Sequence, residues 1–288
     1  MSIDADFVRT AELLEIYGPC ISTASWVDWP RHRKVIASPF NEGNMKYVWD
    51  ESLKQVHQML EIWASESTSQ VSNFSEDTRI LSLNVLAAMG FRQSYEFHSA
   101  NESDSSETDD LDYRKALKAV LDNCILLMVI SRKILSHRFA PKSWQRVARA
   151  ASNYEDYMVQ SFTEEEFALR VGKPGKGGLM TSFVHAMDQP QGKVMDTRKA
   201  TGLTVQEIFG NFFVINFAGH DTTAKAFAYA LLLLTAHPEV QDWVAEELQH
   251  LVPVDGEWEY DVLFPKLKRC KAILVRCPAC FFIIGQYR

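Results

Sequence analysis

"LTVQEIFGNFFVINFAGHDTTAKAFAYALLLLTAH", Leu203 to His237, decides how this chain is read. Thr204 and Glu207 have the T-x-x-E spacing of a capping box, in which each residue satisfies a backbone donor of the other. The apolar pattern then runs to Ala236, a helix of about 48 Å at 1.5 Å per residue. A helix that long and apolar almost all round is expected to cross the middle of a domain. Its centre, "FAGHDTTAKA" from 217 to 226, breaks the pattern. Glycine costs about 1 kcal/mol against alanine in a helix interior, and a buried carboxylate is costly unless paired. A purely structural helix gains nothing from such a cluster, so it reads as a site. Ala218, Asp221 and Thr222, three and four apart, share a face. Gly219 lets a ligand approach the backbone. The Thr222 hydroxyl can take a helix carbonyl and open the ladder locally. The expected result is a notch suited to a small polar ligand that is protonated in a dry cavity. His220 points off that face.

Helix also dominates the rest of the chain. Val48, Leu53, Val56, Met59, Leu60 and Trp63 recur at helical spacing over 44–64. Capping residues open a second helix over 75–91. A third is expected over 113–135, and a fourth from Pro141 to about Met158. "VGKPGKGGLM", 171–180, is glycine-rich without the GK[ST] ending of a phosphate loop, and reads as a mobile linker. Pro238 suits the first turn of a helix after the long one, with Glu239 at its positive end. No alternating strand of useful length and no repeat of fixed period appears. The fold expected is mainly α.

Composition narrows the function. The formal charge is −7 and no Lys/Arg run is present, which argues against a nucleic-acid partner. "SANESDSSETDDLD", 99–112, holds six carboxylates and reads as a solvated loop. The cysteines Cys20, Cys124, Cys270, Cys277 and Cys280 are odd in number and unevenly placed, which is no disulfide framework and suggests a reducing compartment. The lone CxxC at 277–280 gives no case for zinc. The N-terminus shows no signal peptide or anchor. His220, Asp221 and Lys225 in the most apolar stretch argue against a membrane span.

"AGHDTT", Ala218 to Thr223, resembles the central-helix motif of the cytochrome P450 family, [AG]-G-x-[DE]-T-[TS]. "HPEVQ…EEL" resembles the family's next helix. "DWPRHRKVIASPFNE", 28–42, resembles its W-x-x-x-R helix, with Trp29 and Arg33 in the motif positions, and "ISTASWVDWPRHRK" in front resembles the stretch leading into it, most like fungal members. The resemblance spans roughly residues 8–275 and implies a single helical domain with one long central helix and a small sheet that is largely missing. It further implies a haem-thiolate monooxygenase acting on an apolar small molecule with O₂ and an NADPH-dependent reductase. By position, Thr222 and Asp221 would be catalytic, as hydrogen-bond donor and proton relay. Ala218, Gly219 and Thr223 would line the haem, with Gly219 making room for O₂. Trp29 and Arg33 would hold a haem propionate, and His32 would share that task. A complete member would sit on the cytoplasmic side of the endoplasmic reticulum; with no anchor visible, this chain reads as soluble or peripheral.

The sequence also departs from the family. The cysteine motif F-x-x-G-x-R-x-C-x-G that supplies the iron ligand does not occur, nor does E-x-x-R after "FPKLKRCKAILV". No metal ligand is therefore assigned. The expectation is a partial domain over 1–275, an atypical tail over 276–288, and a chain inactive by itself. The alternative is a non-catalytic helical remnant or interaction surface without thiolate-ligated haem.

Overall fold

The computed structural model describes residues 13–65, 71, 73–98, 113–187, 202–252 and 258–276. The acidic stretch, both cysteines of the CxxC pair and the tail beyond 276 lie outside them. In chain order the helices are α1 (Trp29–Ala37), α2 (Glu42–Ser65), α3 (Phe74–Phe91), α4 (Tyr113–Asp122), α5 (Cys124–Val129), α6 (Arg132–Leu135), α7 (Lys142–Arg170), α8 (Gly178–His185), α9 (Val205–Ala236), α10 (Pro238–Leu251), α11 (Tyr260–Leu263) and α12 (Lys268–Arg276), with a 3-10 turn at Phe264–Lys266. Among the described residues, β pairing is confined to a parallel bridge between Met187 and Leu203. The fold is mainly α, as the pattern of the sequence predicts.

The differences have local causes. The helix expected over 113–135 is three helices. Asn123 donates its side-chain amide to the Ala119 carbonyl and leaves helical geometry at ψ 20°. Ile130 and Ser131 are extended, at ψ 123° and 144°. α7 runs well past Met158 to Arg170, carried by Gln160–Glu164 and Arg170–Glu166 pairs one turn apart. The segment after it is not a free linker. The Lys176 backbone N–H donates to the buried Glu165 carboxylate at 2.9 Å, its ammonium pairs with Glu164, and α8 starts at Gly178.

The chain forms two compact units. One comprises Met1–Asn44, Ala87–Gln93 and Glu107–Phe217; the other comprises Met45–Leu86, Ser94–Ser106 and Ala218–Arg288. In the first, aromatic rings make the core. Tyr113 stacks on Tyr154 at 5.9 Å, Tyr17 meets Tyr154 edge-on at 5.2 Å, and Phe91 sits between Tyr113 and Phe212. The first part of α9 is buried on most sides here, through Ile208, Asn211, Phe212, Phe213, Val214 and Asn216.

The segment before α1 crosses α9 at backbone contact. Gly18 has φ +134°, and a Cβ on it would lie 2.3 Å from the Gln206 carbonyl oxygen; a Cβ on Gly210 would lie 2.2 Å from the Gly18 oxygen. Side chains at either position are incompatible with the crossing. The Asn211 side-chain oxygen then accepts the Ile21 N–H at 2.8 Å, fixing the segment along α9.

The second unit has its own core of Met59, Ile80 and Phe97, with Ile62, Trp63, Leu81 and Phe227 packed against it. Here α9 is one-sided, with Thr222, Lys225, Tyr229, Leu232 and Leu233 exposed. α12 is fixed by a carboxylate at its positive end: Glu247 accepts the N–H groups of Lys268, Arg269 and Cys270. No described helix is long and apolar enough to cross a membrane.

Gly210→Ala should destabilise the chain by about 1–3 kcal/mol, the usual cost of overpacking, because the obstructing atoms are backbone. Urea unfolding followed by circular dichroism should show the midpoint fall. An unchanged midpoint would mean that the crossing tolerates a side chain.

Candidate functional site

The capping box at the start of α9 does more than close a helix. The Thr204 N–H donates to Glu207 at 2.8 Å, and the Glu207 N–H donates to the Thr204 hydroxyl at 3.3 Å. The same carboxylate receives both terminal nitrogens of Arg31, at 2.8 and 2.7 Å, and the His32 ring at 3.2 Å. Arg31 also donates to the Gly202 carbonyl. Asn211, one turn along, donates to Nδ1 of His32 at 3.0 Å and to the Glu207 carbonyl. Because His32 Nδ1 accepts, its ring proton sits on Nε2, the nitrogen facing Glu207. Burial by itself would raise the Glu207 carboxyl; hydrogen bonds from Arg31, then His32 and Thr204, outweigh it and hold the group far below the ordinary carboxylate range.

α1 thereby presents two faces. Arg31 and His32 are turned to α9, and His32 is only 1% exposed. Trp29 and Arg33 lie on the outer face, Trp29 42% exposed. At 3.6 residues per turn they are about 40° apart around the helix, and Arg31 is about 160° from Arg33. Among the described residues Arg33 has no carboxylate partner, so an indole N–H and an unpaired guanidinium stand together. That donor set fits an external carboxylate such as a haem propionate. His32 has both ring nitrogens engaged within the protein and offers neither to such a group.

In the second unit, the polar cluster at the centre of α9 packs against α3. The exposed Thr222 hydroxyl donates to the Ala218 carbonyl at 2.6 Å, inside the helix, as expected for a threonine that draws on its own ladder. From α3, the buried Ser82 hydroxyl donates to the His220 carbonyl at 3.0 Å. Gly219 faces α3: a Cβ there would lie 3.1 Å from Leu86 Cδ2, so this glycine permits close helix packing. Arg79, one turn before Ser82, donates to Asp221 at 3.0 Å. Asp221 also lies 3.6 Å from both Lys225 and the His220 ring. Burial opposes ionisation of Asp221, but the charge of Arg79, then of His220 and Lys225, wins and lowers its carboxyl below the ordinary value. Ala218, Thr222 and Thr223 remain exposed.

The site residues therefore fall into two groups: Trp29, His32 and Arg33 on α1 in one unit, and Ala218, Gly219, Asp221, Thr222 and Thr223 on α9 in the other. Arg79, Ser82 and Leu86, at i, i+3 and i+7 on α3, escaped the sequence reading, as did Glu207 and Asn211 as anchors of α1. Glu207 was legible only as the cap of its own helix, and Asn211 only as a polar residue within "FGNFF". The second unit also holds a mostly apolar cavity of about 540 Å³, whose lining includes Leu233, Leu234, Val240, Trp243 and Ile273 with His237 as a polar member. It begins two turns beyond Thr222 and has no part in the polar cluster. Among the described residues no cluster of His, Cys, Asp or Glu is arranged to hold a metal ion. Of the described cysteines Cys20 is buried, while Cys270 is held at the start of α12 with its thiol raised by burial and by Glu247.

The family model for cytochrome P450 matches residues 14–264. This chain belongs to the cytochrome P450 family. It is 27% identical to a cytochrome P450 monooxygenase of Arthrobotrys oligospora over 94% of its own length and 48% of that protein. It is 25% identical to the phomenoic acid biosynthesis cluster cytochrome P450 monooxygenase of Leptosphaeria maculans, again over 94% and 48%. The chain thus spans about half the length of these curated relatives. The crystal structure of the cytochrome P450DA heme domain superposes with a TM-score of 0.65 at 19% identity, covering 95% of this chain and 54% of that one, which establishes likeness of fold. Haem is the cofactor this family implies.

The lowered carboxyls make a pH prediction. A group whose folded-state pKa is depressed contributes stability above its unfolded value, lost as pH falls through the folded one. Glu207 and Asp221, with ordinary values of 4.5 and 3.8, share that direction. Thermal unfolding followed by circular dichroism should show a melting temperature that drops as pH is lowered below about 4.5. Glu207→Gln should flatten that slope. A melting temperature constant down to pH 3 would contradict the ion-paired geometry.

Proposed function

We propose that this chain carries the propionate-binding and proton-handling residues of a haem-dependent monooxygenase that hydroxylates an apolar organic molecule. The observation that carries the reading is the exposed pair on α9: a threonine hydroxyl resting on its own helix carbonyl, beside an ionised aspartate held by Arg79. When bound, haem would supply the oxygen-activating redox chemistry, with electrons from an NADPH-dependent reductase. Trp29 and Arg33 would bind a propionate by charge-assisted hydrogen bonds. The Thr222 hydroxyl would turn from the Ala218 carbonyl to donate outward. Asp221, ionised and solvent-facing at 46% side-chain exposure, would accept a proton from water and pass it to replace the one given up.

No described cysteine is placed as an iron thiolate, and the family's cysteine motif does not occur in the 288 residues. The chemistry is therefore assigned to these residues in company with a segment that carries the family's cysteine motif. The chain by itself should give no thiolate-type reduced-CO spectrum.

The test joins this chain to an N-terminal part, an E-x-x-R helix and a cysteine loop taken from a relative in the family. The joined protein should show the thiolate-type spectrum and turn over. Thr222→Ala should keep the spectrum while diverting electrons from product to peroxide. Asp221→Asn should slow turnover, within the range of about 10²–10⁴-fold typical of general acid–base groups. Fully coupled turnover in Thr222→Ala would reduce the notch to a packing feature. A joined protein that folds yet takes up no haem would favour a helical remnant with a purely structural or interaction role.

A further inference from the structure

We infer that Glu207, with Arg31, His32 and Asn211, is the positioning set that aims Trp29 and Arg33 at a haem propionate. This rests on the reading above that those two residues bind a propionate, and it adds the part of the chain that gives them their direction.

α1 is only nine residues long. A helix that short has little stability of its own, and its rotation about its axis must be fixed from outside. Its outer face offers nothing for this, because Trp29, Arg33 and Lys34 are exposed. Its inner face is fixed at three points. Arg31 makes a bidentate pair with Glu207, which sets both distance and angle. His32 bridges Glu207 and Asn211 through its two ring nitrogens, which fixes the ring plane. Asn211 is itself immobilised, its amide donating to the Glu207 carbonyl and its oxygen accepting the Ile21 N–H. The capping box with Thr204 holds the carboxylate in place.

Two consequences follow for Arg33. Glu207 absorbs the charge of Arg31, with Asp28 3.3 Å from the same guanidinium. No protein carboxylate is left for Arg33 among the described residues, and it stays available to an external anion. The inner-face bonds also stop α1 from rolling, so the Arg33 side chain projects on the Trp29 side. The acidic and basic groups facing His32 are Glu207 and Arg31; from the segment before α1 the Ile21 backbone reaches Asn211 and the Asp28 carboxylate reaches Arg31.

The experiment uses the full 288-residue chain and two probes, hemin and hemin dimethyl ester, which lacks the propionate charges. Both are titrated by absorbance and tryptophan quenching, with circular dichroism as the folding control. The wild type should bind hemin at least about tenfold tighter than the ester, and Arg33→Ala should remove that preference. Glu207→Gln should also remove it, with affinity for the ester kept within about twofold. A merely structural loss would weaken both probes alike. Because Glu207→Gln also removes a helix cap, His32→Gln serves as the milder variant, expected to lower the preference severalfold. If Glu207→Gln and His32→Gln keep the full preference while Arg33→Ala loses it, the positioning set is refuted and the propionate reading stands. If the wild type shows no preference, or Arg33→Ala keeps it, the propionate reading fails and the inference falls with it.

Discussion

One partly buried carboxylate, Glu207, ties the start of the long helix to α1. It closes the first turn of the long helix, neutralises Arg31 and orients His32. A carboxylate so enclosed is tolerable only because charged and neutral donors satisfy it, and removing one partner of such a cluster leaves the others unpaired. The close crossing of Gly18 over Gly210 lies one turn further along, so the segment leading into α1 is fixed by backbone contact and α1 itself by charge.

In the second unit the logic is different. The polar residues at the centre of α9 are held by a single stripe of α3, from Arg79 through Ser82 to Leu86. Each addresses another feature of the cluster: a carboxylate, a carbonyl and a missing side chain. The glycine that the sequence offers as space for a small ligand is spent on helix packing against Leu86. The hydroxyl beside it is exposed and the carboxylate is partly so, at 46% of its side chain. Thr222 is exposed and, among the described residues, hydrogen-bonds within its own helix.

What could be read in the sequence was what is local. The T-x-x-E box, the start at Pro238 and the run to Ala236 appear where periodicity and capping place them, because those signals act within one or two turns. Helix breaks at Asn123 and Ile130 were hidden inside an apolar run that reads as continuous, since one side-chain bond and one extended residue suffice to stop a short helix. The hold on the glycine-rich segment by Glu165 was also invisible, because a carboxylate eleven residues away leaves no pattern. At the site, the residues expected to act were named from the chain itself, but their supports were not. Arg79 to Asp221 spans 142 positions and Arg31 to Glu207 spans 176, and no spacing rule reaches that far. His32 shows the cost: adjacent in sequence to Arg33, it lies on another face of the helix and is committed to Glu207 and Asn211.

The central claim is the proposal that Thr222 and Asp221, at the middle of α9, act in chemistry and not in packing alone. Amide hydrogen exchange of the full chain, read by mass spectrometry with and without saturating hemin, tests it most directly. The account predicts that residues 217–224 exchange measurably in the free chain, where two helix carbonyls are shared with hydroxyls, and are strongly protected by hemin. Full protection of 217–224 in the free chain, or no change there on hemin binding, would contradict it.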